Sequence, residues 1–311
     1  MKKIVPSLKQ DFYSNGKLLL TGEYEVLDGA LSFAIPTKYG QSLSVEEIEE
    51  PKLIWTSLDE KGNIWFENIL EITKDKVLQS SPSDDDYTKR LIQILNATKQ
   101  LNPDFLNKQT GYKIETKLNF PRNWGLGTSS TLINNIANWA KVDAYNLLEK
   151  TFGGSGYDIA SAQNDQPIIY SIENNKAVSK KVKLNWNFTN QLFFIHLNKK
   201  QNSREGIAQY RSQISNNSNI LNKISELTTK FIGCNTLLEL ESLIEQHESL
   251  ISSVIKLKPI KELLFKDYPG AIKSLGAWGG DFILVTGENS KMKYFRDKGY
   301  DTIIPFNKMI K

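Results

Sequence analysis

The ten residues Pro121-Arg122-Asn123-Trp124-Gly125-Leu126-Gly127-Thr128-Ser129-Ser130 constrain the fold more than any other stretch of this chain. Before them, Tyr112, Ile114, Thr116, Leu118 and Phe120 alternate with polar residues, the period of a half-buried strand. After them, Leu132, Ile133, Ile136, Ala137 and Ala140 recur at helical spacing, with Trp139 at the edge of the stripe. A strand must therefore pass into a helix through a turn with two glycines, and Thr128, Ser129 and Ser130 fall at the helix N-terminus. Backbone N–H groups there lack intrahelical partners, the helix dipole favours negative charge, and glycine lets an anion approach the backbone. Two readings stand: a capped helix after a plain turn, and a phosphate cradle whose hydroxyls reach a nucleotide-borne magnesium ion. A Walker A loop is excluded because no Gly-Lys-Ser/Thr ends the run, and a dinucleotide fingerprint because the third glycine is missing.

The rest of the chain sets the frame for that turn. With 311 residues, 40% of them hydrophobic and 24% charged, it can bury one large core or two domains, and gross disorder is excluded. The net charge of +4 suits anionic ligands, but the basic residues are scattered. No dense Lys/Arg block is interleaved with aromatics, so nucleic acid is not an expected partner. The single cysteine, Cys234, excludes an internal disulfide and a multi-cysteine metal site, and fits a reducing compartment. Met1-Lys2-Lys3 leads into polar residues and no apolar run approaches spanning length, so the expectation is a cytoplasmic protein with no membrane partner.

Strand patterns occur at Lys17–Leu20, Leu31–Ile35, Ser42–Val45, Leu53–Thr56 and Asn63–Phe66. The acidic run from Ser80 to Asp86 opens a helix carrying Leu91, Ile94 and Leu95. A second architecture begins near residue 180: a strand at Leu192–Leu197, a polar connection at Lys199–Glu205, and long helical patterns at Ile220–Phe231 and Leu237–Ile255. The tail reads as strand (Phe282–Val285), helix (Lys291–Lys298) and strand (Tyr300–Ile304), which suits an α+β sandwich of ferredoxin type.

Three further segments accompany the opening loop. Gly16-Lys17-Leu18-Leu19-Leu20-Thr21-Gly22-Glu23-Tyr24 puts a lysine at one end of a strand and a carboxylate at the other. Gly153-Gly154-Ser155-Gly156-Tyr157-Asp158 places an aspartate after a flexible turn. Lys273-Ser274-Leu275-Gly276-Ala277-Trp278-Gly279-Gly280-Asp281 is a late glycine-rich turn before the final strand pattern. In this order the four resemble the motifs of the GHMP kinases, the family of galactokinase, homoserine kinase, mevalonate kinase and phosphomevalonate kinase, and the likeness runs from Gly16 to about Val285. Two positions depart from it: Thr128 replaces the first serine of the P-x-x-x-G-L-G-S-S loop, and Trp278 replaces the middle glycine of the late G-A-G-G-G loop. Gly154 to Ala162, Gly22-Glu23-Tyr24 and Gly279-Gly280-Asp281 look most like phosphomevalonate kinases.

The resemblance implies a two-domain GHMP kinase fold: a ribosomal S5 domain 2-like N-terminal domain over residues 1–175 and a ferredoxin-like C-terminal domain over 176–311. It implies ATP and Mg2+ as cofactors, a small-molecule substrate as the only partner, and a monomer or homodimer. Gly125, Leu126, Gly127, Thr128, Ser129 and Ser130 would cradle the ATP phosphates, with Ser129 on the metal. Asp158 would be the catalytic carboxylate, as base or as electrostatic partner of Lys17, and Lys17 would stabilise the transferring phosphoryl group. Glu23, Tyr24, Ser155, Gly156, Lys200, Ser203, Arg204, Gly276, Ala277 and Gly279 would meet the acceptor. A phosphate acceptor is already ionised at neutral pH and needs cations more than a base, which points to Lys199, Lys200 and Arg204, then to Arg122 and Lys9. Glu149 is a further metal-ligand candidate, and a solvated helix residue otherwise. His196 and His247 have no second histidine at ligand spacing, which leaves both as structural groups.

The expected activity is transfer of the ATP γ-phosphoryl group to an anionic metabolite, with 5-phosphomevalonate first and mevalonate or another GHMP kinase substrate second. The Thr128 and Trp278 departures keep open a non-catalytic ligand sensor on the same fold.

Overall fold

The computed structural model describes residues 9–81, 84–107, 110–200, 203–276, 278 and 280–311, apart from 214–217, and the side chains of 203–205, 209 and 213 are outside the description. The elements run β1 (Gln10–Thr21), β2 (Ser32–Ile48), β3 (Lys52–Leu58), β4 (Ile64–Ile72), β5 (Val77–Gln79) and α1 (Asp86–Leu101). Next come β6 (Gly111–Leu118), α2 (Thr128–Ala140), α3 (Ala144–Thr151), α4 (Tyr157–Ala162), β7 (Ile168–Glu173), β8 (Lys176–Lys181) and β9 (Leu192–His196). Helices α5 (Ser203–Gln213), α6 (Ser218–Gly233), α7 (Leu237–Ile255) and α8 (Ile260–Leu264) follow. The chain closes with β10 (Ile272–Ser274), β11 (Phe282–Thr286), α9 (Lys293–Arg296), β12 (Ile303–Pro305) and α10 (Phe306–Met309).

These elements form two compact units. The first comprises Met1–Gly16, Tyr39–Arg122 and Gly127–Gln163. Its strands lie in the order β5-β4-β3-β6-β2, antiparallel except for the parallel β3–β6 pair. Alternation drives this sheet: Leu53 and Trp55 of β3 and Ile114 of β6 are buried, while the residues on either side of each are more exposed. They meet Leu91, Ile94 and Leu95 of α1 and Ile133, Ile136 and Ala137 of α2 in one core. Helix α1 starts where the sequence sets its acidic run, with the Asp85 carboxylate accepting from the Thr88 N–H at 2.8 Å.

The second unit comprises Lys17–Lys38, Asn123–Leu126 and Asn164–Lys311. Here Ser32–Ala34 of β2 pair with β7, and β7 pairs with β8, whose six residues are all exposed and include three lysines. A separate antiparallel sheet runs β10-β11-β9-β12. Strands β9 and β11 are buried at every position and pack on Phe265, Tyr268, Met292 and Phe295. Helix α7 is entered through a capping box between Thr236 and Glu239. The α+β class expected from the sequence is the one observed.

Two local expectations change. Leu31–Ile35 and Ser42–Val45 are parts of one strand, β2, which continues through Pro36 and Gly40. A side chain at position 40 would collide with the Ser14 carbonyl and the Tyr13 ring, so the glycine marks close strand approach and not a turn. The polar connection expected at Lys199–Glu205 ends in helix α5, which begins at Ser203. With only Ile207 and Tyr210 on its apolar side, α5 is too polar to declare a helical period.

Candidate phosphate-binding and catalytic site

In the second unit, the segment Asn123–Leu126 is held on every side. His196, buried at the end of β9, accepts the Asn198 N–H at Nδ1 (3.3 Å), so its proton sits on Nε2 and donates to the Asn123 carbonyl at 3.1 Å. Trp124 packs edge-on against Phe282, with ring centroids 5.4 Å apart. Lys17, on the final stretch of β1, donates from Nζ to the Gly125 carbonyl at 3.0 Å and from its amide to the Leu126 carbonyl at 3.0 Å. Gly125 has φ +67°, and a Cβ there would run into the Asp281 carboxylate, so backbone conformation and space both demand glycine.

In the first unit, Gly127 is the N-cap of α2 with φ +91°, and no side chain caps this end. Thr128, Ser129 and Ser130 are therefore the first helical residues, and none of them is the cap. Their amides are the groups that a helix leaves without internal partners. Ser130 is buried and donates to the Gly127 carbonyl at 2.8 Å, whereas Ser129 is exposed and its hydroxyl has no partner among the described residues. Beneath the turn, Thr131 Oγ1 donates to Gln41 Oε1 at 2.8 Å, Ser14 Oγ donates to Asn135 Oδ1 at 2.7 Å, and Asn134 donates to Ser14 Oγ at 2.8 Å. This buried network fixes the orientation of the helix start.

Helix α4 repeats the device on a smaller scale, with Gly156 as N-cap at φ +85° and Asp158 in the first turn. Asp158 Oδ1 accepts the Ile159 N–H at 3.1 Å. The end of α4 is tied to α2 through Gln163, which donates to Asn134 Oδ1 at 2.9 Å. Tyr145 is pushed up to about 12 by burial and by the neighbouring carboxylates Asp143 and Asp158, so its hydroxyl stays neutral.

Deeper in the second unit lies a cluster of ionisable groups. Lys273, on β10, donates to Glu23, to Glu248 Oε1 at 3.0 Å and to the Ser274 carbonyl at 2.7 Å. Ser274 Oγ donates to Glu248 Oε2 at 2.7 Å, and the Gly22 N–H donates to His247 Nε2 at 3.2 Å. Burial holds His247 well below its ordinary range, and Lys273 reinforces this, so the 3.4 Å approach of Nε2 to Glu23 Oε2 is not an ion pair. Burial raises Glu23 and Glu248, partly offset by Lys273. Lys273 itself stays charged, because the two carboxylates outweigh its desolvation. Glu23, His247 and Glu248 could between them ligate a metal, but the Lys273 ammonium already supplies the cation. Glu25 is buried nearby with neither oxygen partnered among the described residues; burial, then Glu23, push it up to about 8.

No family model and no curated protein matches the sequence. Solved structures do. The mevalonate kinase of Methanococcus jannaschii aligns at TM-score 0.67 and 17% identity, covering 96% of this chain and 97% of that one. Streptococcus pneumoniae phosphomevalonate kinase, in complex with phosphomevalonate and AMPPNP, aligns at 0.66 and 16%, covering 93% and 95%. The Lin0012 protein from Listeria innocua aligns at 0.69 and 15%, covering 94% of each. The chain has the GHMP kinase fold.

On that GHMP kinase frame, the other positions singled out in the sequence fall as follows. Tyr24 is buried and stacks on Tyr210, with centroids 5.5 Å apart. Ser155 is half-buried just before the α4 cap, Gly276 has φ +60°, and Lys199 and Lys200 are exposed. Ala277, Gly279 and the side chains of Ser203 and Arg204 lie outside the described residues. Arg122 is engaged by aromatics, 3.6 Å from the Trp65 ring centre and donating to Tyr87 Oη at 2.8 Å. Lys9 pairs with Asp11 at 3.6 Å, and Glu149 is exposed on α3. Trp278 is 2% exposed and buried among Tyr24, Tyr210, Ile251 and Ile255. Sequence reasoning missed Glu248, Lys273 and Glu25. Glu248 carried a signal: with Leu240, Leu243, Ile244, Ile251 and Ile255 it falls on the buried stripe of α7, where an unpaired charge is untenable.

Proposed function

We propose that this protein is a GHMP-type kinase that transfers the γ-phosphoryl group of ATP to a small anionic metabolite, with 5-phosphomevalonate as first acceptor and mevalonate as second. The observation that carries this reading is the start of α2: a left-handed glycine cap, no side chain occupying the first-turn amides, and an exposed Ser129 hydroxyl. A helix end built this way favours an anion with several oxygens. A helix start closed by its own Ser, Thr or Asp side chain would instead have an oxygen already on those amides.

Phosphoryl transfer needs positioning and charge neutralisation more than covalent chemistry. The Thr128–Ser130 amides bind the donor phosphates. Lys17, held through the Gly125 carbonyl, brings a positive charge to the transferring group as negative charge develops there. Asp158, on a short helix oriented by the Gln163–Asn134 bond, orients the acceptor and takes a hydroxyl proton where the acceptor is an alcohol. Lys199 and Lys200, both exposed, suit an acceptor with negative charge. Magnesium prefers hard oxygen donors and keeps several waters, and the free Ser129 hydroxyl and the Asp158 carboxylate are donors of that kind. When bound, the ion neutralises phosphate charge. The pneumococcal phosphomevalonate kinase with AMPPNP supports an ATP-type donor by analogy of fold.

The test is ADP release from ATP and magnesium in the presence of phosphomevalonate, mevalonate, galactose or homoserine. Release with phosphomevalonate above all others is expected. Preference for mevalonate would correct the acceptor. Nucleotide binding without release on any acceptor would replace the kinase with a sensor.

A further inference from the structure

Gly206 is the fourth residue of α5, and nothing in its own backbone calls for glycine, because its φ is outside the left-handed region. Glycine inside a helix is costly: against alanine it favours local opening roughly fivefold. What position 206 needs is space. A Cβ there would collide with the Tyr24 hydroxyl oxygen and stand 3.0 Å from Cε1 and Cζ of the same ring. Tyr210, one turn further along α5, lies on the same face and stacks on Tyr24 with the two rings 22° from parallel. A single side chain therefore covers two successive turns of the helix.

Of the two partners, Tyr24 is the fixed one. It is buried in one apolar cluster with Trp278 of the late glycine-rich turn and with Ile251 and Ile255 of α7, so its ring has little room to step aside. Helix α5 is held less firmly. Among its described side chains only Tyr210 is buried; Ile207 is half-buried, and Ala208, Arg211 and Ser212 are exposed. Its polar ties return to the same short stretch of chain, with Tyr210 Oη donating to Asp28 Oδ2 at 2.7 Å and Arg211 pairing with Asp28. These ties dock α5 on residues 24–28, with Tyr24 under the turn nearest its start. Ser203 and Arg204, which the resemblance assigns to the acceptor, open the helix one turn before Gly206. We propose that Tyr24 is a positioning residue: its ring and hydroxyl seat α5, and so set where the Ser203–Arg204 end of that helix stands for the acceptor. The effect on the acceptor rests on the kinase reading above; the seating of α5 does not.

Gly206→Ala, Tyr24→Phe and the two combined test this in the full chain. Hydrogen exchange is followed at the Tyr210 amide, with the Ile244 amide of α7 as reference, and steady-state kinetics are measured with phosphomevalonate and mevalonate. Helix propensity alone would make Gly206→Ala slow exchange at Tyr210 roughly fivefold. Seating by Tyr24 gives the opposite sign: exchange at least fivefold faster, with Ile244 unchanged. The acceptor KM should rise at least fivefold, with kcat and the KM for ATP within twofold. Tyr24→Phe removes the oxygen that the added Cβ strikes. In that background Gly206→Ala should slow exchange and leave the acceptor KM at the Tyr24→Phe value, which isolates the contact between the two residues. A Gly206→Ala chain that folds only when combined with Tyr24→Phe is the same result in stronger form. Slower exchange at Tyr210 in Gly206→Ala alone, or faster exchange that Tyr24→Phe does not reverse, would overturn the seating. Faster exchange with an unmoved acceptor KM would overturn the role toward the acceptor. If the wild type transfers phosphate to no acceptor, the kinase reading fails and the exchange measurement alone decides the seating.

Discussion

Replacing Glu25 by glutamine should change how stability depends on pH more than stability at any one pH. Glu25 is about 1% exposed and both its oxygens lack partners among the described residues. Burial and the adjacent Glu23 carboxylate keep its proton on up to about pH 8, whereas an unfolded chain releases it near 4.5. Between those values the folded state holds a proton that the unfolded state does not. Unfolding free energy therefore falls as pH rises, by about 1.4 kcal/mol per pH unit. The contribution is complete below the unfolded value and is lost as pH climbs through the folded one, roughly 5 kcal/mol in all. Glu23 and Glu248 are shifted in the same direction by the same burial, but they remain in both proteins, so the difference between them reports Glu25. The assay is urea unfolding of wild type and Glu25→Gln at pH 6, 7, 8 and 9. The variant should gain on the wild type by about 2 kcal/mol between pH 6 and 8, then run nearly parallel above. Parallel curves across the whole range would mean that Glu25 is ionised in the folded state and that the cluster is neutralised in some other way.

Other expectations concern the site itself. Asp158→Ala should lower kcat by about two to four orders of magnitude with ATP affinity nearly unchanged, measured by steady-state kinetics beside nucleotide titration. Ser129→Ala should raise the magnesium concentration needed for half-maximal nucleotide binding by roughly tenfold, equivalent to about 1.4 kcal/mol, while leaving Tm without ligand alone. An unchanged magnesium requirement would remove Ser129 from the metal. Thr236→Ala deletes one half of the α7 capping box and should cost about 1 kcal/mol in chemical denaturation, with kcat unaffected.

What the sequence disclosed and what it hid divide along physical lines. The turn from β6 into α2 was legible because its signals are local: a period of two, two glycines, then a period of 3.6. In the second unit β9, α6, α7, β11, α9 and β12 were legible for the same reason, whereas β7, β8, α5, α8, β10 and α10, which are short, polar or without a clear period, were not. What the sequence could not place were the groups that satisfy one another at long range. Glu23 stands 250 residues from the Lys273 that neutralises it, and neither residue type nor spacing predicts that meeting. Lys273 is further concealed in a strand of three residues beside a glycine-rich turn. The capping alternative at Thr128 and Ser129 was decided only by backbone angles, since Gly127 takes the cap position itself. Trp278, far larger than the glycine the resemblance puts in its place, is buried in an apolar cluster with a left-handed backbone at φ +49°.

The path of the chain between the two units has a consequence for how the molecule can be divided. Lys17–Lys38 and Asn123–Leu126 belong with the C-terminal residues although they are read out among the N-terminal ones. No single cut in the gene separates the units, and a fragment expressed from residue 164 onward would lack Lys17, Glu23 and Gly125 together. Such a molecule is expected to melt in one calorimetric transition. Its halves should regain structure only when both are supplied, which makes a pair of fragments broken in an exposed loop a natural complementation reporter.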